Sequence, residues 1–261
     1  MREGCDILGV FAHPDDESYG PGGALARYAL EGAAVDLLVF TCGEAGSIGV
    51  SKELPRDELC RRRRGELGEA CEALGVRDYR IVGLPDGSVG DTTDEEGARI
   101  VLGEIEGRRP RIVMTFHRDG VSGHPDHRAV TRFAREAFRR AGGGGPRKLY
   151  EWALPESKVS LYKKERRIFA APEGEITTTI RVPGEAMDRK LEAIARHRTQ
   201  IEFYHELVRI FGDYREATAR EFFVLRESRI GFDHLPEEDL FEGMGPEGTG
   251  TPRWGRGKEL D

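Results

Sequence analysis

Ile7-Leu8-Gly9-Val10-Phe11-Ala12 is an unbroken apolar run, and the chain leaves it through His13-Pro14-Asp15-Asp16-Glu17. Such a run suits a strand buried on both faces, as in a parallel sheet covered by helices. Working outward, Gly22–Glu31 reads as a helix and Val35–Thr41 as a second buried strand. Strand, helix, strand in succession is the signature of a right-handed βαβ unit. The alternation continues with a helix over Glu58–Leu74, a strand over Asp78–Leu84, a helix over Asp94–Glu106, a strand over Arg111–Phe116 and a helix over Asp126–Arg140. Gly75 stands where the first of these helices would turn into a left-handed C-terminal residue.

Beyond the loop Gly142–Pro146 the pattern changes. Lys148–Leu154 and Thr177–Val182 read as strands, the second rich in β-branched residues. Ala186–Arg209 reads as one long helix, and Phe222–Leu225 as a late strand or a core anchor. The run after Gly243, rich in Gly and Pro, reads as a loose tail. No repeat or composition break divides the chain. The expectation is a single α/β domain over residues 1–261, built on a doubly wound, mostly parallel sheet. Its core spans 1–146, with a C-terminal α/β extension over 147–242 and a flexible tail over 243–261.

Composition limits what such a domain does. The chain has 261 residues, 38% of them hydrophobic and 33% charged, enough for a packed core under a heavily ionised surface. A net charge of −7 argues against a nucleic-acid partner, whose binding surfaces are usually basic. Nothing approaches the roughly 18 consecutive apolar residues of a membrane span, and Met1–Asp6 leaves no room for a signal peptide. A cytoplasmic location is expected. Cys5, Cys42, Cys60 and Cys71 are scattered, with no C-x-x-C pair. They are expected to be small thiols in a reducing compartment, which leaves any metal to His and carboxylate.

In an open parallel sheet, ligands bind beyond the carboxyl ends of the strands. The residues His13-Pro14-Asp15-Asp16-Glu17 sit there. A turn has use for Pro and Asp, but not for a His and three acids together, which repel one another unless a cation or hydrogen bonds compensate. Gly20-Pro21-Gly22-Gly23 is not the G-x-G-x-x-G of a dinucleotide site, and the acids before it would repel phosphate. A second motif, Gly123-His124-Pro125-Asp126-His127, follows the strand Arg111–Phe116. Pro125 and Asp126 suit a helix start, and His124 and His127, three apart, can face one side there. Alone the pair is weak. Together with the first motif at the same sheet edge, it points to a metal site of the His/His/carboxylate kind that catalytic zinc uses.

The two motifs together resemble those of the LmbE-like, PIG-L-type N-acetylglucosaminyl deacetylases. Thr41-Cys42-Gly43-Glu44-Ala45-Gly46 is similar to that family's second-strand signature, and Arg63, Glu66, Leu67, Ala70 and Leu74-Gly75 to its helix signature. Pro85-Asp86-Gly87 completes the set in family order, and Lys190, Ala193, His197 and Gln200 resemble a weaker C-terminal signature. The resemblance implies a Rossmann-like fold, zinc held by His13, Asp16 and His127, and Asp15 as general base. It implies that His124 stabilises the oxyanion or protonates the leaving amine, that Asp126 orients a histidine, and that Glu44, Arg63 and Asp86 lie near the sugar hydroxyls. Ordinary readings compete with the last four. Asp126 could serve only the helix start, Arg61–Arg64 a solvated face, and Glu44 and Asp86 their glycine turns. Glu17, His117 and His197 read as structural. Val121-Ser122-Gly123 stands where mycothiol-type enzymes carry a tyrosine, which argues against the mycothiol precursor specifically.

The leading expectation is therefore zinc-dependent N-deacetylation of a GlcNAc-containing small molecule or glycoconjugate, with iron(II) an alternative occupant. The expected partner is a small amino sugar, and self-association stays open. Removal of a longer acyl group, cleavage of a thiol-sugar conjugate and non-enzymatic metal or sugar binding are the alternatives. The presence of both Asp15 and His124 argues against mere binding.

Overall fold

A computed structural model describes residues 4–46, 54–159 and 168–244. Among the described residues, the strands are β1 (Ile7–Phe11), β2 (Val35–Val39), β3 (Asp78–Ile81), β4 (Ile112–Phe116), β5 (Lys148–Ala153), β6 (Thr178–Arg181) and β7 (Arg220–Ser228). The helices are α1 (Asp16–Tyr19), α2 (Gly22–Leu30), α3 (Arg56–Leu74), α4 (Asp94–Arg108), α5 (Pro125–Arg140), α6 (Glu156–Val159), α7 (Gly184–Arg196), α8 (Ile201–Phe211) and α9 (Tyr214–Ala217). One sheet runs in the order β3-β2-β1-β4-β5-β7-β6. The first five strands pair in parallel, and β7 pairs antiparallel with both β5 and β6.

This is the doubly wound α/β sheet expected. The apolar runs predict it because β1, β2 and β4 are buried at every position, which requires cover on both faces. The order also fixes where a ligand can sit. From β1 the chain moves outward to β2 and β3, then returns to place β4 on the other side of β1, with Ile7 paired to both Val35 and Ile112. The loops leaving β1 and β4 therefore diverge from adjacent strand ends, which opens the crevice of a topological switch point. Both histidine motifs follow these two strands.

Two expectations need correction. Ala186–Arg209 is not one helix, because α7 stops at Arg196 and α8 begins at Ile201. The break is held by buried side chains: His197 Nε2 lies 2.6 Å from Glu17, and the Glu66 carboxylate accepts from the Thr199 amide and hydroxyl at 3.0 and 2.7 Å. Apolar periodicity cannot register two polar anchors from distant elements. The cysteines are not all thiols either. Cys42 and Cys60 form a disulfide across a Cα separation of 5.1 Å, and Cys5 and Cys71 remain buried thiols. Of the two readings of Phe222–Leu225, the late strand holds: these residues are the middle of β7, inside the sheet. Of the expected tail, residues 245–261 lie outside the described residues, while Met244 packs on the main core. No helix among the described residues is long and apolar enough to cross a membrane.

The helices α4 and α5 cover one face together, and they approach closely because Gly97 gives the ring of Phe133 its space: a Cβ there would overlap that ring. Both residues are buried. In an exposed helix Gly→Ala stabilises by about 1 kcal/mol, but overpacking a core costs about 1–3 kcal/mol. Gly97→Ala is therefore expected to lower the urea midpoint, by the equivalent of about 1–2 kcal/mol. A midpoint at or above that of the parent would show that the ring has room to yield.

Candidate metal centre

The turn after β1 is tightly folded on itself. The Asp16 carboxylate accepts from the amides of Ala12 and His13 at 3.2 and 2.7 Å, so the strand end and its exit turn are one unit. Asp15 sits at φ 116°, ψ −26°, a conformation that costs a non-glycine residue roughly 1–3 kcal/mol and persists where surrounding contacts over-determine it. After β4 the chain passes Gly120 and Val121 at φ 67° and 60°. A Cβ at Gly120 would strike the Cβ of His127, so glycine there lets the loop lie against the start of α5. His124 caps α5, its Nδ1 accepting from the Asp126 amide at 3.2 Å, and Pro125 takes the first helical position.

These two turns bring His13, Asp16 and His127 together. His13 Nδ1 is 3.1 Å from His127 Nε2 and 3.6 Å from Asp16 Oδ2, and His127 Nε2 is 3.3 Å from Asp16 Oδ1. Tetrahedral zinc, with bonds of about 2.0–2.1 Å, holds its ligand atoms roughly 3.3 Å apart. The outer nitrogens settle the tautomers. His13 Nε2 faces Asp86 Oδ1 at 3.0 Å and Asp126 Oδ2 at 3.3 Å, so it carries the proton. His127 Nδ1 donates to the Gly120 carbonyl at 2.9 Å. Both inner nitrogens are then lone pairs directed at one another and at a carboxylate. Two nitrogens and the two oxygens of one carboxylate in this arrangement call for a cation, and the donor set fits a divalent metal of the zinc type. His124 comes close as well: it can offer a nitrogen within 4.8 Å of those of His13 and His127.

The acids around the trio also shift its titrating groups. Burial alone would lower the His13 pKa, but hydrogen bonds to Asp126, Asp16 and Asp86 outweigh it and hold the ring's pKa well above the usual value. Burial acts to raise Asp16, yet His127 and His13 keep it well below the usual carboxylate range. Asp15 behaves oppositely. Burial pushes its pKa up to about 6 against the pull of Arg63, whose Nη2 lies 3.1 Å from Asp15 Oδ2. For His124, burial and the nearby His13 and His127 lower the pKa.

The other expected site residues fall as follows. Asp126 is fully buried and accepts from the amides of Gly87 and Val89 at 2.8 and 3.1 Å. Its carboxylate meets His13, whereas its contact with His124 runs through the backbone. Glu44 accepts from the Asp86 amide at 2.8 Å, and Asp86 from the Ala45 amide at 2.9 Å, which braces the loops after β2 and β3 against each other. Arg63 is buried and donates to the carbonyls of Gly43 and Pro14. A Cβ on Gly43 would overlap its guanidinium, which gives that glycine its reason. His117 is buried, with Nε2 3.4 Å from Glu175. Ser122 Oγ is 3.4 Å from His127 Nδ1. Spacing could not show that Asp86 partners His13, since their loops follow different strands.

Residues 8–138, which include His13, Asp16 and His127, match PIG-L, described as GlcNAc-PI de-N-acetylase. The chain belongs to the PIG-L family. Among similar PIG-L relatives is a protein of Nocardiopsis dassonvillei named 1D-myo-inositol 2-acetamido-2-deoxy-alpha-D-glucopyranoside deacetylase. It is 35% identical over 90% of this chain and 99% of its own length. A conserved protein of Thermus thermophilus superposes with a TM-score of 0.59 at 27% identity, covering 86% of this chain and 95% of that one. A 4-carboxy-2-hydroxymuconate hydratase of Pseudomonas putida superposes at 0.65 with 19% identity over 87% of this chain and 98% of its own. That last likeness concerns the fold alone.

Behind the trio of this PIG-L chain, Glu17 and His197 form a fully buried pair. Burial opposes charge on both, but each partner prevails: His197 is raised above its ordinary 6.5 and Glu17 lowered below its ordinary 4.5. The His197 contribution to stability is thus full below 6.5 and lost as pH rises through the raised value. That of Glu17 is full above 4.5 and lost as pH falls through the lowered value. The pair stabilises most between those ordinary values. His197→Ala leaves the carboxylate buried without its counter-charge and is expected to cost about 3–5 kcal/mol near pH 5.5. Chemical denaturation at that pH checks it; an unaltered midpoint would rule the pair out as a structural support.

Proposed function

We propose that this PIG-L member is a zinc-dependent amidase that removes the N-acyl group, acetyl in the simplest case, from a GlcNAc-containing small molecule or glycoconjugate. The observation that carries the reading is the pairing of two facing imidazole lone pairs and a carboxylate with Asp15, a carboxyl pushed up to about 6 beside them. A structural metal site would not need a strained, nearly neutral-tuned carboxyl at its edge. The deacetylase name of the Nocardiopsis relative supports the amino-sugar part of the reading.

His13, Asp16 and His127 would hold the ion, which when bound supplies Lewis acidity to an amide carbonyl and acidity to a water. Asp15 accepts the proton of the attacking water, since a base with a pKa near 6 is both ionised at neutral pH and strong enough to take it. The same carboxyl returns the proton to the departing nitrogen. Arg63 acts through Asp15, holding its carboxylate in place from the far side. His124 accepts from the Asp126 amide at Nδ1, so its neutral tautomer carries the proton on Nε2 and can donate to the developing oxyanion. Asp126 and Asp86 fix the His13 tautomer from outside, as carboxylates behind metal-binding histidines do. Glu44 and Asp86 would face the sugar.

Two variants test the assignment together. His127→Ala is expected to lose most of the roughly one bound zinc per chain along with amine release from N-acetylglucosamine derivatives. Full metal occupancy in that variant would refute the ligand set. Asp15→Asn is expected to keep the metal and lose at least about 100-fold in turnover. Metal loss in step with activity would instead make Asp15 a ligand. Amine release and metal content measured on the same samples separate the outcomes.

A further inference from the structure

A cavity of about 430 Å³ opens from the metal trio, with Asp16 and His127 in its wall. Its volume lies in the range of roughly 300–1,000 Å³ that accommodates whole small ligands, far more than the methyl of an acetyl group needs. Phe116 and Trp152 line it from the sheet, Phe203 and Phe211 from α8, and Phe222 from β7. Charged residues line it too: Lys190 and Glu221 are paired to each other at 2.7 Å, Lys158 Nζ donates to the Ala217 carbonyl at 3.2 Å, and Asp16 and Arg220 complete the set.

The sheet order gives this cavity a side. The trio sits at the ends of β1 and β4. The loops carrying Glu44 and Asp86 follow β2 and β3 on one side, and the cavity lies toward β5 and β7 on the other. An amide carbonyl placed at the trio has one substituent on each side. The Glu44–Asp86 side offers carboxylates that accept from hydroxyls, while the cavity's lining is mainly aromatic and aliphatic, so the sugar is better placed on the Glu44–Asp86 side and the acyl substituent in the cavity. We propose that the cavity beside His127 is an acyl-chain site, and that the preferred substrates carry a medium-length alkanoyl or an aryl-acyl group on the amino-sugar nitrogen. This rests on the amidase reading above and names its substrate class.

The test is a series of N-acyl glucosamines (acetyl, butanoyl, hexanoyl, octanoyl, dodecanoyl) with the zinc-loaded protein. Burial of each added methylene is expected to raise kcat/KM by about 3-fold until the cavity is full, with a maximum at hexanoyl or octanoyl and a fall at dodecanoyl. Ala217→Trp, which places a bulky ring on the cavity wall, should reduce the octanoyl-to-acetyl ratio at least 10-fold. Independently of turnover, octanoate should change the emission of Trp152, and acetate at the same concentration should not. Acetyl turnover with no gain from chain length would overturn the acyl site and leave the amidase reading standing. A gain from an octyl aglycone on N-acetylglucosamine, but none from acyl length, would overturn it by putting the sugar's substituent in the cavity. Hydrolysis of no amide in the series would overturn the amidase reading and this inference with it.

Discussion

Two imidazole lone pairs and a carboxylate do not stay within 3.6 Å of one another unless their outer atoms are committed elsewhere. Here they are. Asp86 and Asp126 occupy the far nitrogen of His13, the Gly120 carbonyl that of His127, and two backbone amides the Asp16 carboxylate. The parallel pairing of β1 with β4 puts the two turns side by side, and these outer bonds aim what the turns carry. Removing any one would let a ring rotate or change tautomer, and the concentrated negative potential at the centre would disperse. The positive φ at Asp15 and Val121 is conformational strain held in these two turns, while Gly120 adopts its positive φ without that cost.

Much of this was legible in the sequence for a simple reason. The residues around the trio come from two short contiguous stretches, and the strands before them are buried on both faces, so the apolar runs marked where the chemistry begins. His13, Asp16 and His127 could be singled out, and the structure brings them together. The partners could not. That Asp126 turns its carboxylate to His13, that Arg63 locks Asp15, and that Glu17 meets His197 across 180 positions are facts about packing between elements, to which spacing along the chain is blind. The same limit explains the misread helix: the apolar stripe of α7 and α8 is continuous in projection, and only Glu17 and Glu66 reaching in from other elements interrupt it. The disulfide escaped because nothing in the spacing of Cys42 and Cys60 shows that the loop after β2 rests on α3.

The molecule also divides its labour along the chain. The trio, its outer partners and Asp15 all lie before residue 139, in the part that matches the family. Apart from Tyr19, Phe116 and Val121, the aromatic and aliphatic lining of the cavity comes from residues after 150. Under the proposals above, the bond-breaking apparatus and the determinants of what enters are separable stretches meeting at one edge. Substitutions in α8 or β7 can then reshape selectivity without touching a proposed ligand.

The position of β7 between β5 and β6 has a consequence for how the chain is made. Among the described residues, the strand β6 pairs with β7 and, through Thr178, with Glu237. Both of its partners come later in the sequence. At about 5–20 residues per second on a ribosome, the stretch separating β6 from β7 takes some seconds to emerge. During that interval β6 has no ladder to join, while β1 to β5 already have all the strands they need to assemble. The doubly wound half can thus form in the nascent chain and wait. The aromatic wall closes only when β7 threads in beside β5.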